Sequence, residues 1–299
     1  MTAAPDLAAP RRLALAQPAA AGAWLAELPE LVARRARAWE LTVERVAAPG
    51  GRTSMTVLVR RADGTPAALK LCAPGTSAAL EAAALARWDG RGAVRALEAA
   101  PEDGALLLER LHGETSLRSL PETKAMLEAV SALHRLWVPP GAGHPFPTVA
   151  ERTAGLAADG ADLPEGAGPL IAEALAARAE LLAGPPEEVL LHGDFRQGAV
   201  LAADTGRAPW LAVGPDPLVG ERAYDLARLA RDRLHDLIAS AGAPAITRRR
   251  MTKLAASVEA DPERLRGWTL FRAVESGIRA HGEGRRTDAE ALLEFATWL

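Results

Sequence analysis

Val189-Leu190-Leu191-His192-Gly193-Asp194-Phe195-Arg196-Gln197-Gly198-Ala199-Val200-Leu201 is followed by Trp210-Leu211-Ala212-Val213-Gly214-Pro215-Asp216-Pro217-Leu218-Val219-Gly220, and then by Tyr224-Asp225-Leu226. Short apolar runs bounded by Gly, Asp and Pro read as strands. The first begins at Val189, the second covers Ala199–Ala202 and the third Trp210–Val213. A tight turn bearing His192, Gly193 and Asp194 joins the first two, and a turn at Asp204–Gly206 joins the others.

Around this hairpin the chain runs to 299 residues, long for one core and suited to two lobes sharing a cleft. Apolar residues make up 49%, enough for a real core. A net charge of −3 gives no basic field of the kind nucleic acid attracts. No apolar run approaches the roughly 18 residues a bilayer span needs. The expected setting is soluble and cytoplasmic, with neither nucleic acid nor membrane as partner. Cys72 is the single cysteine, which excludes an intrachain disulfide and fits a reducing compartment. Arg11-Arg12 superficially resembles a twin-arginine export signal, but Gln17, Pro18 and Glu27 interrupt any apolar region. Residues 1–20, rich in Ala and Pro, therefore read as a disordered arm.

Trp24, Leu25, Leu28, Leu31, Val32 and Ala36 then recur at helical spacing, with Pro29 as a candidate break. Strands at Leu41–Val46 and Met55–Arg61 flank the turn Gly50-Gly51-Arg52-Thr53-Ser54. Asp63-Gly64 closes a hairpin onto Ala67–Cys72. On that strand Ala68, Lys70 and Cys72 point one way while Leu69 and Leu71 enter the core. Only three of the 35 basic residues are lysines. Lys70, alone in an apolar strand, is functional or at an edge, and Cys72 reads as a small core thiol. A helix from about Ser77 to Trp88 carries Glu81, eleven residues after Lys70. Ala105–Leu111 is a further strand. Helices follow at Glu122–Trp137, Glu173–Leu182, Tyr224–Ala239, Ile246–Ala256, Pro262–His281 and Asp288–Trp298, with loops at Val138–Pro147 and Ala157–Gly168.

Jointly and in order over residues 35–285, these motifs resemble the aminoglycoside phosphotransferase family, which has the protein-kinase-like fold. The nearest pattern is the branch of streptomycin 6-kinases and hydroxyurea phosphotransferases: His-Gly-Asp, four residues, Asn, and later Ile-Asp-Pro-Lys-Pro-Leu-Val-Gly-Asp-Pro-Ala-Tyr-Asp-Leu-Ala. The resemblance implies an α+β, bilobal fold, with an antiparallel-sheet N-lobe at 21–110 and a mostly helical C-lobe at 111–299 carrying the catalytic-loop hairpin. It implies Asp194 as proton acceptor and His192 as a brace of its loop. Lys70, held by Glu81, would reach the α- and β-phosphates, under a turn containing Gly51 and Ser54. Ala68 would border adenine, and the backbone of Glu109 and Leu111 would hydrogen-bond its edge. Asp225 matches an aspartate that holds the catalytic-loop backbone.

Two letters depart from the family pattern. Ala199 stands where the family has a metal-binding Asn, and Gly214 where it has a metal-binding Asp. Mg²⁺ wants hard oxygen ligands at about 2.0–2.1 Å, and neither residue supplies one from its side chain. Asp216 is a weak metal candidate, displaced by roughly 6–7 Å along a strand and fixed between Pro215 and Pro217. Arg196 could hold a phosphate bidentately, or pair with Asp194 and quench the base. The expectation is a phosphotransferase-like protein with a degenerate Mg²⁺ site, a pseudokinase or a member with altered chemistry, binding ATP weakly and without Mg²⁺ as an expected cofactor. Two alternatives stay open: a working ATP-dependent antibiotic O-phosphotransferase, and a protein that binds a small molecule or a protein partner in the kinase-like cleft. The basic segment Thr247–Lys253, with Arg264, Arg266, Arg272 and Arg279, weighs against a polycationic acceptor.

Overall fold

Short runs bounded by turns set the first sheet, with Ser54–Arg60 alternating between buried and more exposed residues and the central Pro66–Cys72 and its neighbour Ala105–Glu109 almost wholly apolar. In the computed structural model, which describes residues 6–156 and 166–299, strands form at Thr42–Val46 (β1), Ser54–Arg60 (β2), Pro66–Cys72 (β3), Ala96–Ala100 (β4) and Ala105–Glu109 (β5). They make one antiparallel sheet in the order β1-β2-β3-β5-β4. β3 is central, and Lys70 lies opposite Thr56 on one side and Leu106 on the other. Met55, Val57, Val59, Leu69, Leu71 and Leu107 face a core closed by two helices, Arg11–Ala16 (α1) and Gly22–Ala38 (α2). Pro29 does not break α2. A proline in a helix interior costs about 3 kcal/mol, and the neighbouring Leu28, Leu31 and Val32 are all buried, each contributing about 1.5–3 kcal/mol.

The disordered arm expected over residues 1–20 is corrected for its described part. α1 places Leu13 fully buried in the sheet's core. Gln17 donates from Nε2 to the carbonyl of Arg52 at 2.6 Å. The Pro10 ring lies where a Cβ on Gly50, at φ +76°, would come within 2.9 Å, so only glycine fits there. One leucine and one glutamine tie the segment down, and a composition rich in Ala and Pro hides both.

Ala78–Trp88 (α3) is capped by Ser77, whose hydroxyl accepts from the Leu80 amide at 3.1 Å. His112–Ser116 (β6) pairs antiparallel with Val200–Ala202 (β8), and Trp210–Ala212 (β9) completes that three-stranded sheet, whereas Val189–Leu191 (β7) pairs with Leu218–Gly220 (β10). Contacts divide the chain into a sheet unit, Met1–Ser116 with Leu201–Asp216, and a helical unit, Leu117–Val200 with Pro217–Leu299. The expected split between residues 110 and 111 therefore shifts: β6 and the outer half of the hairpin belong with the sheet. Ala199 closes a 3-10 turn at Gln197–Ala199 and does not begin the strand as expected.

The helical unit holds Glu122–Leu136 (α4), Val149–Thr153 (α5), Gly168–Ala183 (α6), Arg222–Ala230 (α7), Leu234–Ile238 (α8), Ala243–Ser257 (α9), Pro262–Gly282 (α10) and Arg286–Ala296 (α11). The loop expected at Ala157–Gly168 lies, up to residue 165, outside the described residues. α10 is the hub, burying Leu265, Trp268, Phe271 and Val274. The helix expected at Tyr224–Ala239 is two helices, broken at Arg233, whose backbone is left-handed at φ 55°. Among the described residues no helix is long and apolar enough to cross a membrane.

Candidate active site

In the sheet unit, β3 and α3 bring Lys70 and Glu81 together. Lys70 Nζ lies 2.7 Å from Oε1 and 2.5 Å from Oε2 of Glu81, with 12% and 5% of the two side chains exposed. Burial alone would push the ammonium toward neutrality, but the Glu81 charge, Cys72 and the Glu81 hydrogen bond together outweigh it and the Lys70 pKa stands above its ordinary value. Cys72 is buried with Sγ 3.9 Å from Glu81. Burial is the main reason its thiol is pushed up to about 11, so it is inert as a nucleophile. Ala68 is buried two residues before Lys70.

Gly51 abuts Ser54: a Cβ there would come 3.3 Å from the Ser54 carbonyl oxygen. Glu109 is more committed than a bare hinge residue. Its amide donates to Arg95 O at 3.0 Å, and its carboxylate accepts from the Arg95 amide at 2.8 Å and pairs with Arg207. Leu111 is half-buried between β5 and β6. Gly214, at φ +64°, follows β9, and a Cβ on it would stand 3.9 Å from Lys70 Nζ. Asp216 is exposed between the buried Pro215 and Pro217.

In the helical unit, β7 delivers His192, Gly193 and Asp194. Asp225, in the first turn of α7, accepts from the amides of His192 at 2.9 Å and Gly193 at 2.8 Å, and from Trp137 Nε1 at 3.2 Å. The Gly193 carbonyl accepts from Arg272 at 2.7 Å. His192 is fully buried, edge-on to Phe195 at 5.4 Å. This loop is braced through its backbone, which leaves the Asp194 carboxylate to project.

Arg196 Nε meets Asp194 Oδ2 and Arg228 Nε meets Oδ1, each at 3.2 Å. Asp194 keeps 40% of its side chain exposed yet sits in a dense shell of protein. That burial would raise its pKa, but Arg228, then Arg196 and Arg272, overcome it and hold the carboxyl at about 2. Gln197 donates its amide to Asp232 at 2.5 Å, and its side-chain oxygen accepts from Arg233 at 2.8 Å. Ala199 is buried and presents a methyl group.

The geometry thus gathers Lys70 with Glu81 and Gly214 in one unit, and His192, Asp194 and Arg196 in the other. Arg228 and Asp232 escaped the sequence reading, and Arg272 entered it only as one of several basic residues on its helix. For the first two a signal existed: Asp225, Arg228 and Asp232 recur three and four residues apart, the spacing of one helical face.

Comparison with known proteins agrees over nearly the whole chain. The profile of the aminoglycoside/hydroxyurea antibiotic resistance kinases matches residues 38–284. Streptomycin 6-kinase of Streptomyces griseus is 36% identical over 284 residues, covering 90% of this chain and 91% of that protein. Hydroxyurea phosphotransferase of Kitasatospora aureofaciens is 38% identical over 83% of this chain and 72% of its own. Among solved structures, the aminoglycoside phosphotransferase APH(4)-Ia aligns with TM-score 0.61 at 16% identity, over 90% of this chain and 97% of that one. Choline kinase LicA from Streptococcus pneumoniae aligns with TM-score 0.63 at 11% identity, over 91% and 100%. The last two establish an α+β kinase-like fold and the others the lineage, so the chain belongs to the aminoglycoside/hydroxyurea antibiotic resistance kinase family.

Proposed function

We propose that this family member has a degenerate Mg²⁺ site and binds adenine nucleotide weakly through Lys70, without the ordinary metal-dependent phosphoryl transfer of an antibiotic kinase. The observation that carries the reading is the state of Asp194, the position of the family's base. Two guanidiniums occupy its two oxygens. A carboxyl held at about 2 is a poor proton acceptor at neutral pH, because general-base efficiency rises as the pKa approaches the working pH. Mg²⁺ does not fit the chain as the family would hold it: Ala199 offers a methyl, Gly214 no side chain, and hard oxygen donors are what this ion requires. The retained Lys70–Glu81 pair supports nucleotide binding, since an ammonium held this way is oriented for phosphates.

A second reading, an active ATP-dependent small-molecule O-phosphotransferase, is favoured by the relatives, which are named as streptomycin and hydroxyurea kinases. It requires the two arginines to leave Asp194 when acceptor binds. Calorimetric titration with ATP, with and without Mg²⁺, decides between the two. Weak binding that Mg²⁺ leaves unchanged is expected. A tenfold or greater gain in affinity on adding Mg²⁺, about 1.4 kcal/mol, would show that another group, Asp216 first, holds metal, and would overturn the degenerate-site reading.

A further inference from the structure

Four guanidiniums gather about Asp194, and among the described residues only two of them have a carboxylate ion-pair partner, which is Asp194 itself. Arg196 and Arg228 each use Nε on that carboxylate, and the terminal nitrogens of both make no hydrogen bond to a described residue. Their side chains remain 41% and 24% exposed, open to an incoming group. Behind them Arg231 is 5% exposed, donates only to Ser276 Oγ at 2.8 Å, and leaves its Nε without a partner. Arg272 is 7% exposed, and its nitrogens reach the carbonyls of Gly193 and Tyr224 while its own Nε is also unpartnered.

The nearby carboxylates do not close this account. Asp225 is engaged by the His192 and Gly193 amides and Asp232 by the Gln197 amide. Glu275, half-buried, acts on Arg231 and Arg272 only through its charge. A buried cation without a bonded counter-charge is costly, because burial strips its hydration. Burial, with Arg228 and Arg272 adding repulsion, pushes the Arg231 pKa well below its usual value. By formal charge Asp194, Asp225, Asp232 and Glu275 match the four guanidiniums, but only Asp194 bonds any of them, which leaves the terminal nitrogens of Arg196 and Arg228 open to an added oxyanion.

We propose that Arg196 and Arg228 form an oxyanion-binding site beside Asp194, in which their free terminal nitrogens take the oxygens of a phosphate or carboxylate group and Arg231 supplies buried charge behind them. Planar guanidinium forks match such groups bidentately. The site stands on the helical unit alone and does not depend on nucleotide binding through Lys70. It accounts for an acceptor that is not a polycation, or for a terminal phosphate held without metal.

The test is calorimetric titration of the full chain with inorganic phosphate at neutral pH and low ionic strength. Saturable binding is expected. Arg196→Gln and Arg228→Gln should each weaken it at least tenfold, while Arg248→Gln, the same charge change at an exposed position of α9, should leave it unchanged. Absence of saturable binding, binding indifferent to both substitutions, or equal loss with Arg248→Gln would overturn the proposal. Thermal melts check folding, and Arg196, being exposed, gives an answer even if Arg228→Gln unfolds. ATP titrated into the same variants identifies the source. If ATP affinity falls with phosphate affinity, the oxyanion is the nucleotide's terminal phosphate; if it holds while phosphate binding is lost, the group belongs to the acceptor. ATP that fails to bind at all sinks the nucleotide reading only, because phosphate binding is read independently.

Discussion

Asp194 is a carboxylate whose charge is fixed by its neighbours, and this gives it a definite acid signature. Its folded pKa of about 2 lies below the ordinary 3.8, so it binds a proton less readily folded than unfolded. The stability this contributes is present above about pH 3.8 and is lost as pH falls toward 2. Arg228→Gln should raise the Asp194 pKa toward its ordinary value and shrink that acid-side loss, with a modest size because solvent reaches the group. Urea unfolding at pH 6 and pH 3 reads it as the difference between wild type and variant. Identical acid slopes in the two would remove Arg228 as the cause. Lys70 makes the opposite kind of prediction. Lys70→Ala would leave Glu81 unpaired with 5% of its side chain exposed, and breaking a buried pair costs about 3–5 kcal/mol. Lys70→Met with Glu81→Leu should recover most of that, since apolar replacement of a buried pair is often close to neutral. If the single and double variants show equal denaturation midpoints, the pair is not the energetic unit described. The double variant is also the background in which to ask whether Lys70 holds nucleotide, because it separates lost binding from lost fold.

At the level of elements, legibility followed locality. β3 was legible as an apolar run behind the Asp63-Gly64 turn, and α3 as a helix from about Ser77 to Trp88. What escaped was fixed from far along the chain. α1 has six residues and one buried side chain, and its place depends on a core assembled from residues 28–107. β10 has three residues between two prolines and Glu221, too few to show a period. The break between α7 and α8 follows from Arg233, whose guanidinium donates to the Gln197 side chain and to the Leu120 carbonyl, both at 2.8 Å. Nothing within helical reach signals it. Two variants test these elements. Leu13→Ala should cost about 2–5 kcal/mol if α1 is part of the core, and a denaturation midpoint unchanged from wild type would return the segment to the status of a loose arm. Gly220 tests β10: a Cβ there would lie 2.3 Å from Val149 Cγ2. Gly220→Ala should therefore destabilise by about 1–3 kcal/mol, the range for overpacking, and Val149→Ala should restore much of the loss. A Gly220→Ala variant as stable as wild type would mean that α5 yields freely.

For the whole molecule, the motif letters that a kinase-like fold needs for position were legible at Lys70, Glu81 and Asp194. Of the arginines that reset Asp194, Arg196 was legible from its place two residues further on, whereas Arg228 and Arg272 were not, because each is unremarkable until the fold gathers it. Whether those arginines or the missing oxygens dominate is tested by restoring the oxygens. In this chemistry metal ions neutralise charge on the phosphate oxygens, so on the proposed degenerate-site reading the chain is short of positive charge at the transferring group. Ala199→Asn with Gly214→Asp supplies both family ligands. Position 214 has room, since its Cβ would stand 3.9 Å from Lys70 Nζ, and its φ of +64° is one that aspartate tolerates better than most residues. Position 199 is buried, so the asparagine must displace neighbours and the fold must be checked by melting. The expected result is ATP binding that strengthens at least tenfold with Mg²⁺, together with slow ATP hydrolysis, because water needs no acceptor pocket. Either substitution alone should do much less, as a half-built octahedral site leaves the ion mostly hydrated. On the oxyanion-site proposal Arg196 would compete for phosphate oxygens, so the pair is also made with Arg196→His. If the folded double variant gains no Mg²⁺-dependent ATP binding in either background, restored ligands are not what the chain lacks, and the reading as a protein that binds a ligand or partner without nucleotide chemistry takes precedence.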